Sequence, residues 1–439
     1  MGALSAGRSA TWRNREILLS DQNIEFAAFL GLDWADQQHV VHLQEADSNN
    51  RERLLLDQTP EALQSWIQHL RSRFGGRPVA IAVEQSRGAL LYALMHVEFL
   101  HIYPVNPVMI AKLRQAFHPS GAKDDPRDAD LLLDVLITHR HHLRVLVPDD
   151  VLTRSIRLLG EGRRKLVDQR TALTNQLTAA LKDYFPQALA WFGDLHTSRA
   201  CAFLQRWPSL QLLKRATTGS IRKFYQSQGY RGQDKLQQLL QDLSSSRPLV
   251  EDEAVLLASS MMVQALVKQI PALTESIDQY DQQIAALFKK HDDFTLFTSF
   301  PGAGAATAPR LLGALGSDRN RFEFASQIQQ MSGIAPVTVR SGQSSSVHWR
   351  LACPKFLRQT FHEFAAQSIP HSDWAKAYYD QQKQRGSSHH AALRALAYKW
   401  IRIIFRCWKN RTLYDETIYF KSLQRRGSLL ATALSITVK

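Results

Sequence analysis

Apolar and polar positions divide this chain into stretches of different period. Between residues 24 and about 147, short apolar runs alternate with amphipathic segments. Ile24–Asp33 and His39–Leu43 read as a strand pair, Arg53–Leu56 as a third strand, and the unbroken Val79–Glu84 as a buried strand. His101–Val105 reads as one more short strand. Helical spacing predicts helices over Pro60–Phe74, Gly88–Leu100, Asn106–Phe117 and Arg127–His139.

From 149 to 292 the pattern is helical almost throughout. Leu159, Leu166 and Leu173 recur every seven residues, and Leu177 and Leu181 extend the stripe. Leu266, Ile270, Leu273, Ile277, Tyr280, Ile284 and Leu287 step alternately by four and three, which is a heptad seam. Pro271 inside it predicts a kink or a helix start. Such seams close within one chain or between chains, and spacing does not choose. Residues 187–248 between them show no readable shape. Further on, Phe300-Pro-Gly-Ala-Gly-Ala-Ala-Thr-Ala308 leads into a helical pattern at Pro309–Leu315. A Ser/Gly-rich loop follows at Ser341–Ser346, then helices near Lys355–Gln367, Ser372–Gln384 and His389–Trp408.

These periods give a flexible N-terminal arm (1–23), an α/β domain (24–148) and a helical, coiled-coil region (149–293). A mainly α-helical C-terminal domain carrying the serine loop (294–420) and a tail (421–439) complete the chain. Three strands followed by alternating helices and strands is the order of an RNase H-like fold. In that fold the first strand and a later neighbour carry acidic groups side by side.

Composition narrows the partner. The 439 residues carry a net charge of +14, which favours a polyanion, nucleic acid before membrane surface. No apolar run looks long enough to cross a bilayer, and the N-terminus lacks a signal-peptide pattern. The three cysteines, Cys201, Cys353 and Cys407, are too scattered for a disulfide framework or a zinc motif and suit a reducing cytoplasm.

The candidate chemistry begins with acids. Asp33 and Glu84 close two apolar runs, and Asp125 and Asp128 lie where a helix begins. Carboxylates converging in water repel one another, and a hard divalent cation such as Mg²⁺, or Mn²⁺ in its place, offsets that repulsion. Such a site performs metal-dependent phosphoryl transfer. The alternative is solvated turn residues and helix caps. Asp124 stands at i−4 from Asp128, so Asp124 or Asp125 could be the partner.

Three further features carry readings of their own. Pro301-Gly302-Ala-Gly304 resembles a hairpin that offers backbone N–H groups to phosphate; a plain interhelical turn fits as well. Ser341, flanked by Arg340, Arg350 and His348, is a candidate nucleophile or a loop residue. Arg163, Arg164 and Lys165 crowd the first long helix and fit phosphate tracking, or only its wet face.

Together these segments resemble the DEDD transposases, the RNA-guided serine recombinases of one class of bacterial insertion sequences. The resemblance runs from about Phe26 to Asp415. It rests on Gly31-Leu-Asp33, Val83-Glu84, Asn106-Pro107 and Lys123-x-Asp125-x-x-Asp128-Ala129, then on Pro301-Gly-x-Gly, Thr307-Ala308, Gly333-Ile-Ala-Pro336 and Ser341-Gly342. It implies a RuvC-like domain holding Mg²⁺ through Asp33, Glu84, Asp125 and Asp128. It implies Ser341 as a nucleophile that forms a 5′-phosphoserine link to donor or target DNA. A bridge RNA would select both sites. A dimer or tetramer joined through the helical region would build a composite site, in a bacterial cytoplasm with nucleoid association. A RuvC-like nuclease or junction resolvase acting by hydrolysis is the competing enzyme, and a non-catalytic nucleic-acid-binding scaffold is the third possibility. Asp124 stands where the family more usually has Thr. Ala352-Cys-Pro-Lys355 replaces the Gly-containing turn commonly seen after the serine.

Overall fold

In the computed structural model, which describes residues 24–84, 88–117, 125–342 and 344–428, the first apolar runs form a five-stranded mixed sheet. Its elements are β1 (Ala28–Asp33), β2 (Gln38–Glu45), β3 (Arg51–Asp57), α1 (Pro60–Phe74), β4 (Val79–Val83), α2 (Ala89–Leu94), β5 (Leu100–Pro104), α3 (Pro107–Phe117) and α4 (Asp125–His139). The strand order is β3-β2-β1-β4-β5. β1, β2 and β3 pair antiparallel, whereas β4 runs parallel to both β1 and β5. β4 is buried along its whole length, which is why its sequence shows no alternation.

Local chemistry sets the helix limits. Thr59 accepts the Ala62 N–H at 3.2 Å, Pro60 occupies the first turn, and Gly75 closes α1 at φ 63°. Leu63, Trp66, Leu70 and Phe74 then face the sheet core. α2 is shorter than Gly88–Leu100 predicts. It ends at Leu94, and Leu100 is spent on β5, paired with Val79.

The chain forms two compact units, Met1–Pro148 and Asp149–Lys439. The second unit opens with α5 (Val151–Tyr184). Five short helices follow: α6 (Gln187–Trp191), α7 (Ser198–Arg206), α8 (Leu210–Lys214), α9 (Thr218–Ser227) and α10 (Gln233–Ser245). They wrap an aromatic core around Phe203, Trp207 and Phe224, giving shape to the stretch that lacked a readable period. α11 (Glu253–Lys289) returns antiparallel to α5. Arg163 meets Asp281, and Arg170 meets Thr274, so seven residues forward on one helix match seven back on the other.

Along this pair the seam closes within the chain. Leu177, Leu181, Ile270, Ile277 and Ile284 are buried, while Leu159, Leu166, Leu173, Leu273, Tyr280 and Leu287 are only half-buried. α11 continues through Pro271 without ending. Contrary to the expectation from the sequence, α11 is long and apolar enough, by length and composition, to cross a bilayer. Its Val263, Leu266, Val267 and Ile270 are instead packed in the helical core.

The unit ends with α12 (Phe294–Thr298), α13 (Thr307–Leu315), α14 (Ala325–Met331), β6 (Val337–Ser341), β7 (Ser344–His348), α15 (Lys355–Ser368), α16 (Asp373–Gln384), α17 (His389–Asn410) and α18 (Glu416–Arg425). Phe300, Phe361, Phe364, Trp374, Trp400 and Trp408 fill its core. The buried indoles keep their hydrogen bonds: Trp400 donates to Ser368 Oγ at 2.8 Å, and Trp408 to the Gly316 carbonyl at 2.9 Å. The N-terminal arm and the last residues of the tail lie outside the described residues.

Candidate active site

The parallel pairing of β1 with β4 sets Leu32 opposite Val83. Asp33 therefore ends β1 and Glu84 directly follows β4, both at the carboxyl end of adjacent strands, where open α/β sheets bind their ligands. Asp33 is 8% exposed and Glu84 is half-buried. α4 delivers Asp128 to the same strand. A Cβ on Gly31 would lie 2.1 Å from the Ala129 carbonyl oxygen and 2.5 Å from the Leu133 nitrogen. Only glycine lets α4 lie this close on β1, and Asp128 directly precedes the contact.

The other acids of this helix have different work. Arg51 joins Asp130 at 2.7 Å and Asp134 at 2.5 Å, and His42 meets Asp130 at 3.2 Å. These pairs pin α4 across β2 and β3. Asp128 is 1% exposed and is held by Arg114 on α3, through Nε at 2.7 Å and Nη2 at 2.5 Å. Asp125 opens α4. Its side chain and all of Asp124 lie outside the described residues, so the choice between them stays open.

Among the described residues, no three His, Cys, Asp or Glu side chains gather closely enough to hold a metal. Asp33, Glu84 and Asp128 nonetheless offer oxygen donors only, two of them buried, and this donor set suits a hard divalent cation rather than zinc or copper. Sequence reading missed Arg114. No local pattern links it to an acid fourteen residues on, across the segment between α3 and α4.

The serine segment is not the loop expected from its composition. β6 and β7 form an antiparallel hairpin in which Ser341 pairs with Ser344, and Gly342 takes φ 56° in the turn. A primed turn requires that backbone, which glycine adopts freely. Strand alternation puts Ser341, Ser344, Ser346 and His348 on one face, and Arg340 and Ser345 on the other. Ser341 is exposed at the end of its strand. His348 bonds Ser346 at 2.9 Å and pairs with Val337, four residues from Ser341. Four strand residues span roughly 13 Å, too far for His348 to take the Ser341 proton.

At the base of the hairpin, Arg394 lies over the half-exposed Trp349 at 4.1 Å and Arg358 at 5.3 Å. Burial and the neighbouring Arg358 push the Arg394 guanidinium below its ordinary value. Arg358 also ties down the chain beyond the hairpin by donating to the carbonyls of Arg350 and Leu351. These two arginines come from α15 and α17, so only the fold reveals them.

The remaining basic and glycine candidates divide. Gly302, at φ 78°, would place a Cβ 2.4 Å from the Gln367 carbonyl oxygen, so it serves close packing on α15. Ala303 and Gly304 donate to the carbonyls of Phe300 and Gly302, and Thr307 and Ala308 donate to that of Gly304. With those N–H groups spent, the turn has few left for a phosphate. Arg163 forms a fork with Asp281 at 2.5 and 2.8 Å, and Arg164 meets Asp168 and Glu363. Lys165 is exposed, as is Arg340, whereas Arg350 is half-buried.

Comparison with known proteins agrees with this layout. Residues 30–186 match the profile of the IS110-type DEDD transposases, and residues 294–380 match the transposase family IS116/IS110/IS902. The chain is 26% identical over 407 residues to the "Mini-circle putative transposase for IS117" of Streptomyces coelicolor, covering 90% of this chain and 97% of that protein. It is 25% identical over 399 residues to the insertion element IS110 uncharacterized 43.6 kDa protein of the same species, covering 89% and 96%. A 42 kDa protein of insertion element IS900 from Mycobacterium paratuberculosis is 24% identical over 363 residues, covering 80% and 88%. The chain belongs to the IS110 family of DEDD transposases.

Proposed function

We propose that this transposase cuts and rejoins DNA strands through a covalent phosphoserine intermediate, with Asp33, Glu84, Asp125 and Asp128 holding Mg²⁺ on an RNase H-like sheet. The observation that supports the reading is the register of β1 and β4, which ends at Leu32 opposite Val83, one residue before Asp33 and Glu84, with α4 packed on β1 at Gly31 through Ala129, the neighbour of Asp128. Mg²⁺ would supply charge neutralisation at the phosphate and polarise the attacked bond.

The residues then divide the work. Asp33, Glu84, Asp125 and Asp128 would hold the cation and so orient the phosphate. Ser341 Oγ attacks phosphorus; the Oγ–P bond forms as the P–O3′ bond breaks, and the departing 3′ oxygen takes up a proton. The serine proton leaves to solvent or to a group outside the hairpin, since His348 is out of reach. In the reverse step, a 3′ hydroxyl attacks the phosphoserine and releases the serine. The ester conserves the bond energy, so rejoining needs no nucleotide cofactor. Arg394, Arg358 and exposed Lys165 supply positive charge for the DNA backbone. A bridge RNA pairing with donor and target would choose the sites, consistent with the net charge of +14. A dimer or tetramer would let the acids of one copy meet the serine of another.

The test is cleavage of labelled donor DNA with Mg²⁺ and the element's RNA. Asp33→Asn and Glu84→Gln each abolish cutting while RNA binding persists. Full cutting by either variant removes that residue from the site.

A further inference from the structure

Asp128 is the most deeply buried of the described acids at the sheet end, and both of its oxygens are engaged. Arg114 gives Nε to Oδ1 at 2.7 Å and Nη2 to Oδ2 at 2.5 Å. This fork takes the two oxygens that a cation would use. The partners differ in freedom: the Arg114 side chain is 18% exposed and that of Asp128 is 1%. The Arg114 side chain keeps access to solvent, and the Asp128 side chain has almost none. Asp130 and Asp134 on the same helix are paired with Arg51 instead.

We propose that Arg114 is a positioning residue that Asp128 exchanges for the divalent cation. The proposal rests on the reading of the acidic quartet as a metal site. A buried carboxylate without a counter-charge is strongly destabilising, so the Arg114 fork holds Asp128 inward before the cation arrives. Two cations on one carboxylate repel each other, so Arg114 leaves as the metal enters. Each partner therefore weakens the other's hold on Asp128 by the same factor. The exchange links α3, which carries Arg114, to metal loading on α4.

The test uses the full-length chain with Mn²⁺ alone as probe, free Mn²⁺ being followed by electron paramagnetic resonance. Wild type, Arg114→Gln, Arg114→Lys and Asp33→Asn are compared, with far-ultraviolet circular dichroism and thermal midpoints for each. Exchange predicts that Arg114→Gln binds Mn²⁺ about tenfold more tightly or better, the scale of one lost charge-assisted contact. Its midpoint without Mn²⁺ falls, and Mn²⁺ raises it by more than in wild type. Arg114→Lys keeps the charge without the fork and binds with intermediate affinity. Equal or weaker binding by a folded Arg114→Gln overturns the exchange and makes Arg114 a support of the site. Should that variant fail to fold, Arg114→Lys decides: tighter binding than wild type supports the exchange, and equal or weaker binding overturns it. Loss of Mn²⁺ binding in Asp33→Asn without tightening at Arg114 fails the exchange alone. Undiminished binding in Asp33→Asn removes the quartet reading, and the exchange with it.

Discussion

The acid-bearing end of the sheet and the serine hairpin occupy opposite kinds of structure. Asp33 and Asp128 are buried, and α4 presses on β1 so closely that position 31 tolerates only glycine. Ser341 sits on a two-stranded hairpin with exposed Val339 and Val347 and no core beneath those residues. Fixed carboxylates suit a group that must hold a cation in one place. A serine proposed to reach DNA, and later to release it, suits a projecting element. Two-stranded hairpins are marginal alone, so this one is expected to take its final form against its substrate or another copy.

Substitutions sharpen the contrast. The largest effect is expected from Glu84→Gln, which should lower the rate of Mg²⁺-dependent strand cleavage about 10³-fold or more with the fold unchanged. Next comes Gly31→Ala. The added Cβ must displace backbone atoms of α4, so a loss of about 3 kcal/mol is expected, the upper range of overpacking, seen as a lower thermal midpoint together with lost cleavage. Ile277→Ala, at a buried position of the α5–α11 pair, should cost about 2–4 kcal/mol in denaturant titration without touching either candidate site. The smallest effect belongs to Ser345→Ala on the opposite face of the hairpin from Ser341. It should change stability by less than about 0.5 kcal/mol and leave cleavage intact. A large effect there would mean that both faces of the hairpin are engaged.

What was legible in the sequence follows the same division. Buried, rigid parts announced themselves: Val79–Val83 is apolar without a break, and Thr59, Pro60 and Gly75 bracket α1 to the residue. Asp33 and Glu84 could be located because each closes such a run. The hairpin was misjudged because serine and glycine dominate it, although Val337 and Val339 alternate with Thr338 and Arg340 before Gly342 as a strand does. The α5–α11 seam was visible, but its partner was not, because a heptad pattern does not encode which helix it meets; the Arg163–Asp281 pair supplies the answer. Arg114 and Arg394 were beyond reach for another reason: Arg394 reaches Trp349 from α17, and Arg114 meets Asp128 across the segment between α3 and α4.

The proposed chemistry turns on whether the exposed Ser341, rather than water, attacks the phosphate. Full-length protein, Mg²⁺, the element's RNA and end-labelled donor DNA are incubated and resolved on a denaturing gel, with Ser341→Ala and Ser344→Ala alongside wild type. Ser344 is the sharpest control because it is the hydroxyl directly across the strand pair. A protein–DNA adduct is expected in wild type and Ser344→Ala and is expected to be absent in Ser341→Ala. Cleavage that persists in Ser341→Ala with no adduct in any lane would contradict it and make this transposase a hydrolytic nuclease.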